Sequence, residues 1–192
     1  RWKIFVMTEE FQLNDDIYTG TKEVSENLKF DSNLLQEWIN DNVANSGDIE
    51  KIEQFKGGQS NPTYKILTNK DSYVLRRKPP GKLLPKAHAV DREYKVITAL
   101  NETDVPVPKT YGLCEDNSVV GTPFFLMEYV DGTVYWDHML PKCTPEQRKL
   151  IFKNKNKVIA NLHSVDYKKV GLEDYGKSGN YVARQVNTWT KQ

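Results

Sequence analysis

The sequence predicts an α+β fold, in which a small antiparallel sheet and one packed helix are followed by a connector and further helices. Three observations support this prediction. Alternating strand patterns at 49–55, 63–68 and 73–77 follow one another with turn-forming residues between them. Residues 87–101 carry an apolar stripe at helical spacing. A nearly continuous apolar run at 123–130 is typical of a buried central strand.

The composition narrows the classes of partner. Of the 192 residues, 38% are hydrophobic and 28% are charged, and the net charge of +1 favours neither nucleic acid nor an anionic membrane. No apolar run approaches the roughly 18 residues of a membrane span. Cys114 and Cys143 are too few for a disulfide framework, so we expect free thiols and a reducing, intracellular compartment.

The first elements are a tail and a helix. Residues 1–30 are polar and acidic with little periodicity, which predicts a mobile tail. Asp31 or Ser32 can cap a helix that Gly47 ends. The apolar positions at helical spacing are Leu34, Leu35, Trp38, Ile39 and Val43.

A glycine pair lies between the first two strands, in the stretch Phe-Lys-Gly-Gly-Gln-Ser-Asn-Pro-Thr-Tyr at 55–64. Glycine lets the backbone approach a ligand closely, and successive free N–H groups form a concavity that binds anions. We therefore predict that Gly57, Gly58, Ser60 and Asn61 cradle a phosphate group. A Gly-Gly pair alone would favour the alternative, an ordinary hairpin turn.

Two charged residues follow at the positions that a kinase small lobe uses. Arg76 on the third strand is the candidate cation for nucleotide phosphates, because its planar fork suits phosphate oxygens. Glu93 on the following helix is its candidate partner. Arg77 points to the opposite face of the strand, and we predict that it is exposed to solvent.

The apolar strand leads into a segment that would contact the base of a nucleotide. Its backbone at Glu128, Tyr129 and Val130 is predicted to hydrogen-bond the adenine edge. Thr144 then begins a helix to about Leu162, with Pro in its first turn and a capping box. We thus expect a kinase-like N-lobe at 31–130, and a hinge with the beginning of a helical C-lobe at 131–192.

The sequence resembles the aminoglycoside-phosphotransferase-like kinases. More narrowly, it is similar to the N-terminal kinase-like domain of acyl-CoA dehydrogenase family members ten and eleven. The most specific matching blocks are Arg-Lys-Pro-Pro-Gly at 77–81 and Ala-His-Ala-Val-Asp-Arg-Glu-Tyr at 87–94. The others are the stretches 55–64, 73–84, 125–132, 162–166 and 175–192.

This resemblance implies an ATP- and Mg²⁺-dependent phosphotransferase that acts on a hydroxyl group of a small molecule. In the similar proteins the acceptor is a hydroxyacyl-CoA of fatty-acid or hydroxy-acid catabolism. The same polypeptide carries an FAD-binding dehydrogenase domain downstream, and the location is mitochondrial or peroxisomal. His163 matches the family pattern in Leu-His-Ser-Val-Asp, and we interpret it as a structural histidine.

The chain departs from the family pattern in one respect. The catalytic loop His-Gly-Asp followed by Asn, and the later metal-binding Asp, do not occur in the 192 residues. Both ends look cut, so we expect a fragment that binds nucleotide but does not turn over by itself, with no catalytic residue or metal ligand of its own. The alternatives are a non-catalytic scaffold or regulatory domain of an acyl-CoA dehydrogenase, and an unrelated binding module. The acceptor and the oligomeric state stay open.

Overall fold

A computed structural model describes residues 18–57, 60–81, 88–176 and 179–191. These residues form an antiparallel sheet with helices on both faces. The strands are β1 (Thr21–Lys22), β2 (Ile49–Phe55), β3 (Thr63–Thr68), β4 (Ser72–Arg77), β5 (Thr110–Cys114) and β6 (Phe124–Glu128). The helices are α1 (Ser32–Asn42), α2 (Val90–Leu100), α3 (Asn117–Val120), α4 (Pro145–His163) and α5 (Tyr181–Thr190). The predicted α+β class is confirmed.

The sheet has the strand order β1-β2-β3-β4-β6-β5 in the described part of the chain. The last of these strands along the chain, β6, thus lies between β4 and β5 and is covered on both faces. Phe124, Phe125 and Leu126 are all fully buried, which confirms the central strand predicted from the apolar run. Burial on both faces replaces the alternation of an amphipathic strand with a continuous apolar pattern.

One face of the sheet packs against α1. Asp31 caps this helix by accepting a hydrogen bond from the Asn33 N–H at 2.8 Å, and Leu35 and Ile39 are fully buried. Their core partners on the sheet are Tyr64, Ile66, Tyr73, Leu75, Phe124 and Leu126. The opposite face carries Thr63, Lys65, Val74, Arg76 and Met127, by strand alternation and register. It is this second face that forms the candidate site.

Gly112 of β5 is a contact point between the sheet and α1. A Cβ atom at this position would lie 3.0 Å from the Trp38 ring, whose other neighbour is Phe124 at 4.8 Å between ring centroids. We expect Gly112→Ala to lower the free energy of unfolding by about 1–2 kcal/mol, because an overpacked core must shift to admit the methyl group. Urea unfolding of the two proteins measures this difference. Gly132→Ala, where nothing lies within 4 Å, is the matched control, and equal losses in both variants would contradict the packing argument.

The N-terminal boundary predicted from the sequence is too late. Thr21 and Lys22 pair with Gln54 and Phe55 of β2, and Phe30 packs against the core, so the ordered structure begins well before residue 31. A two-residue strand is held by backbone hydrogen bonds and leaves no hydrophobic pattern to recognise. Residues 1–17 lie outside the described part of the chain.

The prediction that Arg77 is exposed is wrong. Its exposed fraction is 3%, and its guanidinium donates to the carbonyl oxygens of Val120 at 2.6 Å and Leu28 at 2.8 Å. Arg77 does point away from Arg76, as alternation requires, but α1 and the segment before it cover that face. Strand periodicity assigns a side chain to a face and does not reveal what lies on that face.

The helices after the sheet agree with the sequence where the capping signals were strong. Thr144 and Gln147 form the predicted capping box, and α4 ends at His163. The predicted turn at 116–118 is instead the cap and start of the one-turn helix α3. Helix α5 was not predicted individually. Among the described residues, no helix is long and apolar enough to cross a membrane, and both cysteines are free.

Candidate nucleotide site

Arg76 and Glu93 form an ion pair on the open face of the sheet. Arg76 Nε donates to Glu93 Oε2, and Nη2 donates to Oε1 at 3.3 Å. The two side chains are 26% and 36% exposed, so the pair lies at the boundary between the sheet and solvent. Strand β4 supplies the arginine and α2 supplies the carboxylate. The predicted pairing is confirmed, and its role toward a nucleotide stays a prediction.

Hydrogen bonds close a ring around this pair. Arg76 Nη1 donates to Thr63 Oγ1 at 3.1 Å, and the Thr63 hydroxyl donates to the Asn61 carbonyl oxygen at 3.0 Å. The Asn61 side chain completes the ring by donating from Nδ2 to Glu93 Oε1 at 2.9 Å. Asn61 is only 2% exposed. The residue that ends the glycine turn is therefore tied directly to the carboxylate that orients the arginine.

The ring leaves part of the guanidinium available. An arginine side chain has five N–H donors, and three of those of Arg76 are used by Glu93 and Thr63 among the described residues. One donor on each terminal nitrogen remains, at the open end of the fork. A guanidinium that is held at its base and free at its tip suits the oxygen atoms of a phosphate group.

The glycine turn is described in part. Gly57 lies near the N-terminal segment: a Cβ at Gly57 would be 3.1 Å from the Tyr18 carbonyl oxygen. Because Gly57 has no side chain, the backbone of Tyr18 can approach it closely. The sequence did not predict this contact. Ser60 is exposed at the end of the turn. Gly58, the other predicted glycine, lies outside the described residues.

The predicted adenine-binding segment begins at the end of β6. The Glu128 N–H donates to the Lys109 carbonyl oxygen at 2.8 Å, and the Glu128 carboxylate accepts from the Lys109 N–H at 3.0 Å. Glu128 is thus engaged within the sheet on its β5 side. Val130 is 62% exposed, and no described residue hydrogen-bonds the backbone of Tyr129 or Val130. Of the three predicted residues, these two have backbone groups available for a ligand.

Lys65 is a second cation on the same face that the sequence analysis missed. Its Nζ lies 4.0 Å from the centroid of the Tyr129 ring, so the start of the connector is tied to β3 by a cation–π contact. Lys65 pairs with Val74 in the strand register, and Val74 pairs with Met127. Lys65, Val74 and Met127 therefore lie in one row across β3, β4 and β6, and Thr63, Arg76 and Phe125 form the next row. In the sequence, only strand alternation, which places Lys65 on the same face as Thr63, indicated that Lys65 belongs to this site.

The segments after the connector contact α2 and the loop that follows it. Arg92, next to Glu93, donates to the Tyr175 carbonyl oxygen at 3.1 Å and stacks on the Tyr175 ring at 4.1 Å. Asn161 of α4 donates to the Asp104 carbonyl oxygen at 2.8 Å. These contacts join the segments after the connector to α2 and to the loop that follows it.

The described residues contain no group of three or more His, Cys, Asp or Glu side chains that could hold a metal ion. Four groups could contact a nucleotide. They are the guanidinium of Arg76, the turn that begins at Gly57, the apolar side chains of Val74 and Met127, and the backbone groups of Tyr129 and Val130. This donor set fits the phosphates and base of ATP.

The antiparallel sheet, the Arg76–Glu93 pair across β4 and α2, and the connector after β6 together define a kinase-like α+β domain. Residues 51–192 match the model of the phosphotransferase enzyme family, and the chain belongs to that family. Its members use ATP and a divalent metal in general and act on small-molecule substrates. Nothing in the comparisons indicates a nucleic acid partner.

Curated proteins and a solved structure show the same relationship. The chain is 47% identical over 172 residues to the Arabidopsis thaliana protein named "Probable acyl-CoA dehydrogenase IBR3", and 43% identical over 175 residues to mouse acyl-CoA dehydrogenase family member 10. These alignments cover 85% and 90% of the chain. The solved structure of a Ralstonia eutropha protein described as a "putative aminoglycoside phosphotransferase" superimposes with a TM-score of 0.73 at 48% identity, over 85% of the chain.

The chain spans only part of each of these proteins. It covers 21% of the Arabidopsis protein, 16% of the mouse protein and 47% of the solved Ralstonia chain. The resemblance inferred from the sequence motifs is thereby confirmed at the level of the family.

Proposed function

We propose that this chain is the nucleotide-binding part of an ATP-dependent kinase that phosphorylates a hydroxyl group of a small molecule. The observation that carries the proposal is the hydrogen-bonded ring of Asn61, Thr63, Arg76 and Glu93. It joins the end of the glycine turn to a cation with free donors. In this proposal the N-lobe includes β1 and extends to residue 130, and the C-lobe begins at residue 131.

The parts of ATP would be placed as follows. The base lies against Val74 and Met127 and hydrogen-bonds the backbone of Tyr129 and Val130. The phosphates lie under the turn at Gly57–Ser60, where the two remaining N–H donors of Arg76 meet their oxygen atoms. Because phosphoryl transfer depends mainly on positioning and charge neutralisation, a fixed arginine serves both.

In the transfer step, the substrate hydroxyl oxygen forms a bond to the γ-phosphorus while the bond from phosphorus to the ADP oxygen breaks. The hydroxyl proton passes to a general base. A divalent cation, when bound, would neutralise charge on the phosphate oxygens. We propose that the base and the metal ligands belong to residues beyond this chain, since the family's catalytic loop does not occur in it.

The proposed acceptor is the hydroxyl group of a hydroxyacyl-CoA. Support comes from the names of the related proteins, which are acyl-CoA dehydrogenases that the chain matches over a small share of their length. A kinase part on such a protein would act on the same class of thioester as the dehydrogenase part. The FAD would belong to that other part, and the location would be mitochondrial or peroxisomal.

Nucleotide binding is tested by thermal unfolding of the full-length protein that contains these residues. With Mg²⁺ and a non-hydrolysable ATP analogue at about 100 times its dissociation constant, the linkage relation predicts about 2.7 kcal/mol of added stability and a higher Tm. Gly58→Val, a substitution chosen from the sequence, is expected to reduce this protection. No shift at millimolar analogue would overturn the proposed function.

The acceptor is tested separately in the same protein. ADP release from ATP is measured with hydroxyacyl-CoA thioesters, and the matching acyl-CoA without the hydroxyl group is the control. We expect ADP release only with the hydroxylated thioester. Equal release with both would refute the proposed acceptor and leave nucleotide binding standing.

A further inference from the structure

His88 lies outside the ring but contacts it in a defined way. Its Nδ1 is 2.8 Å from Asn61 Oδ1. The orientation of the Asn61 amide follows from its other contact, because Nδ2 must donate to a Glu93 carboxylate that can only accept. The oxygen of the amide therefore faces His88. Two acceptors do not bond each other, so Nδ1 of His88 carries a proton and donates it to Asn61.

The backbone at His88 is held in an unfavourable conformation. Its φ is +57°, in the left-handed region that costs energy for a residue with a Cβ atom. The His88 carbonyl oxygen accepts from the Val90 N–H at 3.0 Å, so the turn at His88 leads directly into α2. Strain of this kind persists where the surroundings determine it, and such residues concentrate at functional sites.

We propose that His88 is a positioning residue of the nucleotide site, acting through Asn61 on Glu93 and Arg76. The inference rests on the proposed function. Asn61 is buried, so without His88 its amide oxygen loses its partner and the amide no longer has one preferred orientation. Glu93 Oε1 would then lose a donor, and the carboxylate that orients the Arg76 fork would have more freedom to rotate.

Glycine and asparagine substitutions separate this role from a purely structural one. His88→Gly removes the imidazole and relieves the left-handed strain, which offsets part of the cost of leaving the buried Asn61 amide oxygen without its partner, so we expect only a small loss of stability. Its affinity for Mg²⁺ and a non-hydrolysable ATP analogue is expected to fall by about fivefold, the equivalent of one hydrogen bond. His88→Asn places an N–H donor where Nδ1 stood and tolerates positive φ, so we expect affinity within about twofold of the wild type.

The experiment is calorimetric titration of the full-length protein, with urea unfolding of each variant. Asn45→Gly is the matched control, because Asn45 has a φ of +58°, is exposed, and follows α1, which packs on the face of the sheet opposite to the ring. It is expected to leave the affinity unchanged. The double variant Asn61→Ala/His88→Gly is expected to bind no more weakly than Asn61→Ala alone, since both changes act on one contact.

The outcomes separate the two proposals. A wild-type protein that binds no analogue overturns the proposed function itself. Where the wild type binds, three results overturn the role of His88: equal affinity in His88→Gly, failure of His88→Asn to restore affinity, or additive losses in the double variant.

Discussion

Arg77→Ala is expected to lower the free energy of unfolding by about 3 kcal/mol, the largest effect on stability that we predict. Arg77 is 3% exposed, and its guanidinium donates to carbonyl oxygens from two separate segments, at Val120 and Leu28. It also lies 5.1 Å from the Phe30 ring centroid and 5.3 Å from that of Tyr64. Its removal leaves a cavity and two carbonyl oxygens without this donor.

The charge of Arg77 is held without a carboxylate among the described residues. Burial lowers the pKa of Arg77 from its ordinary value, and burial raises the pKa of Tyr64 beside it. Part of the gain from the hydrogen bonds is therefore offset by desolvation, and Nε has no partner in the described structure. The loss of about 3 kcal/mol expected for Arg77→Ala is what remains of the hydrogen-bond and packing contributions after this desolvation cost is subtracted.

Arg77→Met separates volume from hydrogen bonding. Methionine fills much of the cavity but bonds neither carbonyl oxygen, so we expect a loss of about 2 kcal/mol. Urea unfolding measures all the variants, and hydrogen exchange at Ser25–Leu28 reports whether the N-terminal segment is released. A loss below about 1 kcal/mol in Arg77→Ala would mean that desolvation cancels the bonds, contrary to our expectation.

Arg76→Ala is expected to have the opposite profile, with ATP-analogue affinity weakened by about 10- to 100-fold. That range corresponds to about 1.4–2.7 kcal/mol of binding free energy. Because the ion pair with Glu93 is partly exposed, its loss is expected to cost at most about 1 kcal/mol of stability. Titration with the analogue, together with urea unfolding of the same preparations, distinguishes the two quantities.

Arg76→Lys tests the geometry of the fork. A lysine keeps the charge but cannot bond both Glu93 oxygen atoms and Thr63 while still reaching a phosphate, so we expect most of the affinity to be lost. Lys95→Ala removes one positive charge from the helix that carries Glu93, and it is therefore the net-charge control for Arg76→Ala. If Arg76→Ala binds the analogue as well as the wild type does, the phosphate role assigned to Arg76 is wrong.

The adjacent arginines also show how far the sequence could be interpreted. Strand alternation correctly put Arg76 and Arg77 on opposite faces, and the position of Glu93 on the next helix correctly predicted its pairing with Arg76. Arg77 was misjudged because its carbonyl partners lie 43 and 49 residues away in the chain. No local pattern encodes a contact at that separation.

The ring was predicted only in part, for the same reason. Asn61 was predicted to help cradle a phosphate group, which stays a prediction, and the hydrogen bonds of its side chain to Glu93 and His88 were not predicted. Thr63 and Lys65 carried no signal beyond their period along β3. A polar residue in a turn is ordinary until the structure shows which buried group it contacts.

The sequence by itself determined the α+β class, the order of β2, β3, β4, α2, β6 and α4, the pairing of Arg76 with Glu93 and the family. Each depends on local periodicity, capping or motif spacing, which are properties of neighbouring residues. Only the tertiary structure decided that β1 joins the sheet, that Arg77 is buried and that His88 and Asn61 support the ion pair. These depend on which distant segments cover each face of the sheet, and therefore on packing that no single segment encodes.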